Sequence, residues 1–154
     1  MEDKIEWVKA GVFARASRPG WWDEREVALV VREYVARVRA MGINSIVCLL
    51  SQGELVRYYA AHGVNLFAAY REAGLQLAHV PVTDHADPPL DTADLFRLRL
   101  LLSDLPRPWL IHCSAGVDRT GCAVKHLESR PELLQLPPTK PNPSKRNRSN
   151  RSKP

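Results

Sequence analysis

The sequence lacks the features that mark a membrane-spanning, secreted or zinc-binding protein. Its 154 residues include only three cysteines, Cys48, Cys113 and Cys122, and no CxxC pair, so neither a disulfide framework nor a structural zinc site is predicted. No apolar run approaches the length of about 18 residues that spans a bilayer. The first ten residues contain three acidic side chains, whereas a secretory signal needs a basic end and an uninterrupted apolar stretch. We therefore expect a cytoplasmic protein with free thiols.

The excess of positive charge is confined to one end of the chain. The formal net charge is +5, but residues 1–132 carry 16 basic and 17 acidic side chains, whereas residues 133–154 carry six basic and no acidic ones. Residues 137–154 contain five of the twelve prolines and almost no apolar side chain, so they cannot bury enough surface to offset their ordering entropy. We predict a domain over residues 1–136 and a disordered basic tail over residues 137–154. The tail has no aromatic side chains to stack on bases, so no nucleic-acid partner is expected.

Helical and strand-like segments alternate along the predicted domain. Recurrence of apolar residues at three- and four-residue intervals marks the helices, and uncharged apolar runs mark the strands. We predict helices at 23–41, 54–61, 66–73 and 91–102 and from 122, strands at 43–50, 75–82 and 109–112, and an edge hairpin at 5–8 and 12–14. Asp23 is expected to cap the first helix, and Leu95, Phe96 and Leu98 are expected on the packed side of the fourth. The alternation predicts an α/β fold with a central, mainly parallel sheet of about four to five strands flanked by helices.

The segment that follows the strand at 109–112 carries the residues with the clearest chemistry. Small residues dominate positions 113–118, and a helix-compatible run begins soon afterwards. A strand, a tight loop and a helix start direct backbone N–H groups and the positive end of a helix dipole at one point, where an oxyanion binds. The same environment favours the thiolate form of Cys113. Arg119 can offer two parallel N–H donors to a phosphate, and the Thr120 hydroxyl can hydrogen-bond the sulfur.

Cys113, Arg119 and Thr120 form a C-x5-R-[ST] pattern that resembles the signature of cysteine-dependent phosphatases. The sequence His112–Val117 resembles the loop of protein-tyrosine phosphatases, and the order of elements is similar to that of the dual-specificity branch. The resemblance covers residues 5–128 and implies the dual-specificity phosphatase fold, with Cys113 as nucleophile and no cofactor or metal. It implies a substrate-binding loop made of Ser114, Ala115, Gly116, Val117, Asp118 and Arg119. There are two alternatives to a phosphatase. Cys113 could be a buried structural residue beside a salt-bridging Arg119, or the chain could be a rhodanese-type sulfurtransferase.

The resemblance also implies a general acid on a loop about thirty residues before the nucleophile, because an alkoxide or phenoxide leaves poorly unless it is protonated. Asp84 lies 29 residues before Cys113 and is the predicted acid, with Asp87 as the alternative. The stretch from Asp84 to Pro89 is similar to the D-H-x-P-P loop of tensin-type lipid phosphatases, with one extra residue. The implied mechanism is attack by Cys113, protonation of the leaving oxygen by Asp84, and hydrolysis of a cysteinyl-phosphate intermediate.

The loop residues give conflicting indications about the substrate. Ser114–Val117 resembles the loop of protein-tyrosine phosphatases, whereas an acidic residue at Asp118 resembles myotubularins and other phosphoinositide phosphatases. Lipid-directed members often place a lysine where this chain has Val117, so a phosphorylated protein, through phosphotyrosine or dual specificity, is favoured over a phosphoinositide. Arg15–Pro19 resembles a segment that borders the site in small relatives. Trp21 and Trp22 are expected to pack in the core, and the alternative is that they line the mouth of the site.

The end of the predicted domain departs from the resemblance. Related domains usually continue for two more helices, whereas here Pro131 stops the loop helix and only Leu133, Leu134 and Leu136 can pack before the tail. The sequence therefore predicts a truncated C-terminal end. An inactive phosphate-binding interaction module is the alternative to an active enzyme.

Overall fold

A five-stranded sheet forms the centre of the protein in the computed structural model, which describes residues 3–135. The strands are β1 (Ile5–Lys9), β2 (Phe13–Ala16), β3 (Ser45–Cys48), β4 (Gln76–His79) and β5 (Trp109–His112). Their order in the sheet is β1-β2-β5-β3-β4. Only the β1–β2 pair is antiparallel, and the other three pairs are parallel. The predicted mainly parallel α/β fold is therefore confirmed, and β5 has the predicted bounds.

Helices cover both faces of the sheet. They are α1 (Val27–Ala40), α2 (Gln52–Tyr58), α3 (Leu66–Glu72), α4 (Thr92–Ser103), α5 (Asp118–Glu128) and α6 (Pro131–Leu134), with a 3₁₀ turn at Ala60–His62. The first three helices pack against one face and the last three against the other. Neighbouring strand residues alternate between these faces, so Ile46 faces the first layer of helices and Val47 the second, and both are fully buried. Burial on both sides explains the uncharged apolar runs of the central strands.

The first helix begins four residues later than the sequence predicts, at Val27. Asp23 does not cap it, because the Asp23 carboxylate is bound by Arg25, with Nη2 2.6 Å from Oδ2. This hydrogen bond from Arg25 lowers the pKa of Asp23 to about 2. Glu26 occupies the N-cap position instead, and its side chain makes no capping hydrogen bond.

The packed side of α4 also differs from the prediction at one residue. Leu98 and Leu102 are buried, and Leu95 packs partly against the same core, whereas Phe96 is 55% exposed. Two residues correspond to about 200° of helix rotation, so Phe96 lies almost opposite Leu98. The expectation that Phe96 packs inward is therefore wrong.

The N-terminal hairpin forms as predicted, but of its two strands only β1 lies at an edge of the sheet. Strand β2 is interior, because it pairs in parallel with β5, with Ala16 opposite His112. This pairing brings the end of β2 beside the start of the predicted phosphate loop.

The last described residues form a short helix that continues the second layer. Pro131 occupies the first turn of α6, and Leu134 is buried against the core formed with α4 and α5. Residues 136–154, which include the predicted tail at 137–154, lie outside the described residues, and the predicted truncation stays a prediction. Among residues 3–135, no helix has both the length and the hydropathy needed to cross a bilayer.

The start of α4 gives a testable prediction about stability. Asp91 accepts a hydrogen bond from Asp94 N at 2.8 Å, and Asp94 accepts one in return from Asp91 N at 3.1 Å. The Asp91→Ala variant loses this capping box, so we expect its free energy of unfolding to fall by about 1 kcal/mol. Thermal or urea unfolding measures the loss. Asp104→Asn, at the opposite end of α4, is the control and should be neutral or slightly stabilising; equal losses in the two variants would contradict the capping role.

Candidate active site

The segments that follow four strands, one of them helix α2, meet at the carboxyl edge of the parallel strands and line a cavity of about 420 Å³. They follow β2, β3, β4 and β5, because the carboxyl ends of parallel strands lie at the same edge of a sheet. The cavity wall includes Trp21, Tyr58, Asp84, Cys113, Ser114 and Arg119. Within residues 3–135, no cluster of three or more histidine, cysteine, aspartate or glutamate side chains is placed to hold a metal ion.

Cys113 lies at the base of this cavity, at the point where β5 ends and the loop begins. It is only 2% exposed, and α5 starts five residues later at Asp118. The loop between them turns at Gly116, which has a φ of +78°. A Cβ atom at this position would lie 2.5 Å from the carbonyl oxygen of Ala16. Only glycine therefore allows the loop to pack this closely against the end of β2.

The Arg119 guanidinium is buried and held by a two-pronged ion pair. Nη1 donates to Glu54 Oε1 at 2.7 Å, and Nη2 donates to Glu54 Oε2 at 2.9 Å. Nη1 also donates to the carbonyl oxygen of Val82 at 2.8 Å. Nε is buried and has no hydrogen-bond partner among the described residues. The ion pair therefore fixes the plane of the guanidinium and leaves Nε as a donor without an acceptor among the described residues.

Glu54 is a site residue that the sequence does not identify, because the sequence predicts only that a helix starts there. It lies in the first turn of α2 and is 4% exposed. Burial raises the pKa of the Glu54 carboxyl, but the hydrogen bonds and charge of Arg119 and the hydrogen bonds from Ser51 outweigh burial, so the pKa lies below its usual value. The available signal was a capping box, Ser51-x-x-Glu54, placed directly after the buried strand β3.

Asp84 reaches the cavity from the loop that follows β4. Its Oδ1 lies 3.3 Å from Nη2 of Arg119, and its side chain is 38% exposed. The neighbouring His85 side chain lies 3.5 Å from the other carboxylate oxygen. Asp87, which is also among the described residues, is not part of the cavity wall. Of the two predicted candidates for the acid, Asp84 is the one that contacts the arginine.

His112 holds the backbone immediately before the loop. Its Nδ1 lies 3.2 Å from the carbonyl oxygen of Cys113, and its Nε2 lies 2.9 Å from the Tyr70 hydroxyl. A carbonyl oxygen only accepts, so Nδ1 carries the proton and Nε2 accepts from Tyr70. Complete burial lowers the pKa of His112 to about 4. The ring therefore stays neutral and keeps this arrangement at physiological pH.

The other predicted loop residues have different surroundings. Ser114, Ala115 and Asp118 line the cavity, whereas Val117 is 61% exposed. Thr120 is buried, and its hydroxyl has no hydrogen-bond partner among residues 3–135. The predicted hydrogen bond from Thr120 to the Cys113 sulfur is therefore absent.

The loop after β2 borders the site, as the sequence predicts for Arg15–Pro19. Arg18 N donates to the carbonyl oxygen of Ser114 at 2.8 Å, and Arg15 Nη2 donates to that of Gly116 at 2.8 Å. The expectation that the adjacent tryptophans pack in the core is wrong. Trp21 is 39% exposed and lines the cavity, and Trp22 is 53% exposed.

Comparisons with solved structures support the fold. Kinase-associated phosphatase, with its catalytic-site cysteine replaced by serine, matches with a TM-score of 0.62 and 23% identity, over 87% of this chain and 80% of that chain. Tk-PTP in the active form matches with a TM-score of 0.56 and 18% identity, over 95% and 93% of the two chains. The catalytic core of the PP-IP phosphatase SIW14 from S. cerevisiae matches with a TM-score of 0.50 and 18% identity, over 91% and 80%.

The family is established by a sequence match. A comparison with curated proteins gave no match. The model of the family described as "Polymorphic toxin system, DSP-PTPase phosphatase" matches residues 25–127, which is more than half of the chain and includes Glu54, Asp84, Cys113 and Arg119. The chain therefore belongs to this family of dual-specificity and protein-tyrosine phosphatases and is a protein phosphatase.

Proposed function

We propose that this protein phosphatase is cysteine-dependent, with Cys113 as its nucleophile and Asp84 as its general acid. The observation that carries the proposal is the state of Arg119. Its guanidinium is fixed by Glu54, lines the same cavity as Cys113, and keeps a buried Nε without a partner among the described residues. A buried donor without an acceptor is costly, and a phosphate oxygen in the cavity supplies the acceptor.

The loop from Cys113 to Arg119 supports phosphate binding in a second way. Its backbone runs into the first turn of α5, where unpaired N–H groups and the helix dipole favour an anion. A phosphoryl group held there has its equatorial oxygens near the loop amides and the guanidinium. These donors stabilise the charge that spreads over the oxygens during transfer.

In the first chemical step, the Cys113 thiolate forms a bond to phosphorus while the bond from phosphorus to the substrate oxygen breaks. Protonated Asp84 gives its proton to the departing oxygen, so the product leaves as an alcohol or phenol rather than as an anion. A cysteinyl-phosphate remains in the cavity.

In the second step, the ionised Asp84 accepts a proton from water, and the resulting oxygen nucleophile attacks the same phosphorus. The bond between sulfur and phosphorus breaks, inorganic phosphate leaves, and the Cys113 thiolate is restored. Asp84 is protonated again for the next cycle, so one carboxylate acts as acid and then as base.

The aromatic side chains at the cavity mouth support an aryl phosphate, namely phosphotyrosine, as the preferred substrate. Trp21 and Tyr58 line the cavity above Cys113, and aromatic rings pack well against a phenyl group. Comparison of a phosphotyrosine peptide with a phosphothreonine peptide and a soluble inositol phosphate tests this preference. A higher kcat/KM for the inositol phosphate would favour the phosphoinositide alternative that Asp118 indicates.

The nucleophile is tested with p-nitrophenyl phosphate in the presence of a metal chelator. We expect metal-independent turnover that vanadate inhibits and that falls by about 10³-fold or more in Cys113→Ser, because a hydroxyl is a much weaker nucleophile at neutral pH. Cys122→Ser is the control, since Cys122 lies on α5 outside this cavity, and it should keep nearly full activity. A pure, folded wild-type protein that binds phosphate without turnover would support the inactive-module alternative instead.

The general acid is tested by comparing Asp84→Ala with Asp87→Ala. We expect Asp84→Ala to lower kcat by about 10²-fold and to remove the basic limb of the pH–rate profile, because that limb reports deprotonation of the acid. Asp87→Ala should change kcat little. The reverse order of the two variants would assign the proton transfer to Asp87.

The ion pair behind Arg119 is tested with Glu54→Gln, which keeps the shape of the side chain but leaves the guanidinium charge uncompensated. We expect a loss of about 3 kcal/mol in the free energy of unfolding and at least about a tenfold lower kcat/KM. Glu33→Gln is the matched control, because Glu33 pairs with Arg25 at the surface, and it should cost less than about 1 kcal/mol.

The Glu54→Gln variant also tests how stability depends on pH. The pKa of Glu54 is lowered in the folded protein, so its contribution to stability is complete above the unfolded pKa of about 4.3 and is lost as the pH falls through the lower folded value. We therefore expect the melting temperature of Glu54→Gln to fall less steeply than that of the wild type below about pH 4.3. Parallel melting curves over this range would contradict the assignment.

A further inference from the structure

One cavity-lining residue, Trp21, belongs to the segment at residues 17–22, here called the wall segment. This segment connects β2 to the turn before α1 and carries Trp21, which lines the same cavity as Cys113 and Ser114. It also contacts that loop, through the hydrogen bond from Arg18 N to the carbonyl oxygen of Ser114. The wall segment lies outside the stretch at 25–127 that the family model matches. The cavity is therefore completed by residues outside the matched stretch.

The first half of the wall segment is anchored by two tyrosines from the helical layer. The Tyr34 hydroxyl donates to the carbonyl oxygen of Ser17 at 2.8 Å, and the Tyr59 hydroxyl donates to that of Pro19 at 2.7 Å. Both hydroxyls are buried, so these hydrogen bonds are shielded from water. They fix the chain as far as Pro19 but do not reach Trp21.

In the second half, Trp21 N donates to the carbonyl oxygen of Arg18 at 3.2 Å, and the amides on either side of Trp21 donate to the carboxylate of Asp3. Its Oδ2 accepts from Gly20 N at 2.6 Å, and its Oδ1 accepts from Trp22 N at 2.9 Å. Both amides reach the same carboxylate because the chain turns at Gly20, which has a φ of +91°. The two hydrogen bonds bracket Trp21, so they determine where its side chain lies.

Asp3 is buried although its side chain is a carboxylate. Asp3 is 1% exposed, and a buried carboxylate is tolerated only where hydrogen bonds replace its water. The Asp3 backbone is itself tied to α1, since Arg37 donates to its carbonyl oxygen. The carboxylate is therefore a fixed point to which the flanks of Trp21 are attached.

We propose that Asp3 is a positioning residue for the catalytic cavity, which holds Trp21 in the wall against the part of the substrate that carries the phosphate. The inference rests on the proposed function for its kinetic consequence. Without the Asp3 carboxylate, the amides of Gly20 and Trp22 turn to water and Trp21 leaves the wall. The phosphate site, built on Cys113 and Arg119, is unchanged.

The kinetic test separates binding of the substrate's aryl group from binding of its phosphate. We expect Asp3→Ala to raise KM for p-nitrophenyl phosphate by about fivefold or more while kcat changes by less than about twofold, because a ground-state contact is lost. The inhibition constant of inorganic phosphate, which reaches only the loop, should stay within about twofold. Asp3→Asn keeps one acceptor oxygen, so its KM for p-nitrophenyl phosphate should lie between those of Asp3→Ala and the wild type. Glu6→Ala, an exposed acidic residue of β1, is the control and should match the wild type.

A double-mutant cycle tests whether Asp3 acts through Trp21. We expect Trp21→Ala to raise KM by a similar factor and the Asp3→Ala/Trp21→Ala double variant to be no worse than either single variant. The proposal would be overturned if the KM increases of the two single variants multiplied in the double variant. Equal rises in KM and in the phosphate inhibition constant would also overturn it. An unchanged KM in folded Asp3→Ala would overturn it as well.

NMR signals of the tryptophan side chains test the proposal independently of catalytic activity. The chain has four tryptophans, so four indole N–H signals are expected in a ¹⁵N–¹H correlation spectrum, and Trp→Phe variants assign them. In Asp3→Ala the signals of Trp21 and Trp22 should shift or broaden, while that of the buried Trp109 stays in place. Unchanged Trp21 and Trp22 signals would overturn the positioning role. If the wild-type protein had no turnover but its Asp3→Ala variant still showed these shifts, the proposed function would be refuted and the positioning role of Asp3 would stand.

Discussion

Arg119 carries a positive charge into the protein interior, where its side chain is only 1% exposed, and Glu54 supplies the opposite charge beside it. Removing two such groups from water costs several kcal/mol each, and only an ion pair with good geometry and further hydrogen bonds offsets that cost. Both conditions are met, because the pair is two-pronged and the carbonyl oxygens of Leu49 and Val82 accept from the same guanidinium nitrogen. The position of the guanidinium is therefore determined by the fold rather than by a ligand.

The Arg119 side chain connects the segments that follow three strands of the sheet, because it donates hydrogen bonds to two of them and belongs to the third. Leu49 follows β3, Val82 follows β4, and Arg119 belongs to the helix that follows β5. A shift of any of these strands along its neighbour would break a hydrogen bond to the buried charge. The register of the parallel strands and the position of the Arg119 guanidinium thus depend on each other. This makes the cavity rigid where phosphate is proposed to bind and leaves variation to the loops at its mouth.

The parts of the site that the sequence revealed are those encoded by neighbouring residues. The strand, loop and helix around Cys113 follow from one continuous stretch, and the buried strands follow from uncharged apolar runs, so the fold and the loop were predictable. Glu54 was missed because its role depends on Arg119, which is distant in sequence and reaches it only through the pairing of β3 with β5. Core packing was favoured for Trp21 over a place at the mouth of the site because large aromatic residues are usually buried. Its place at the cavity depends on distant side chains that anchor the wall segment, which the local sequence does not reveal.

The interior position of β2 has a consequence for how the protein is made. Strand β2 pairs with β5, so Phe13, near the start of the chain, lies opposite Trp109. Closing so long a loop is entropically costly and slows folding. During synthesis from the N-terminus, one edge of the β1–β2 hairpin stays unpaired until β5 leaves the ribosome, and an unpaired edge is where chains associate wrongly. The cavity therefore cannot form until β5 has been synthesised, and the unpaired edge of β2 is open to association until then.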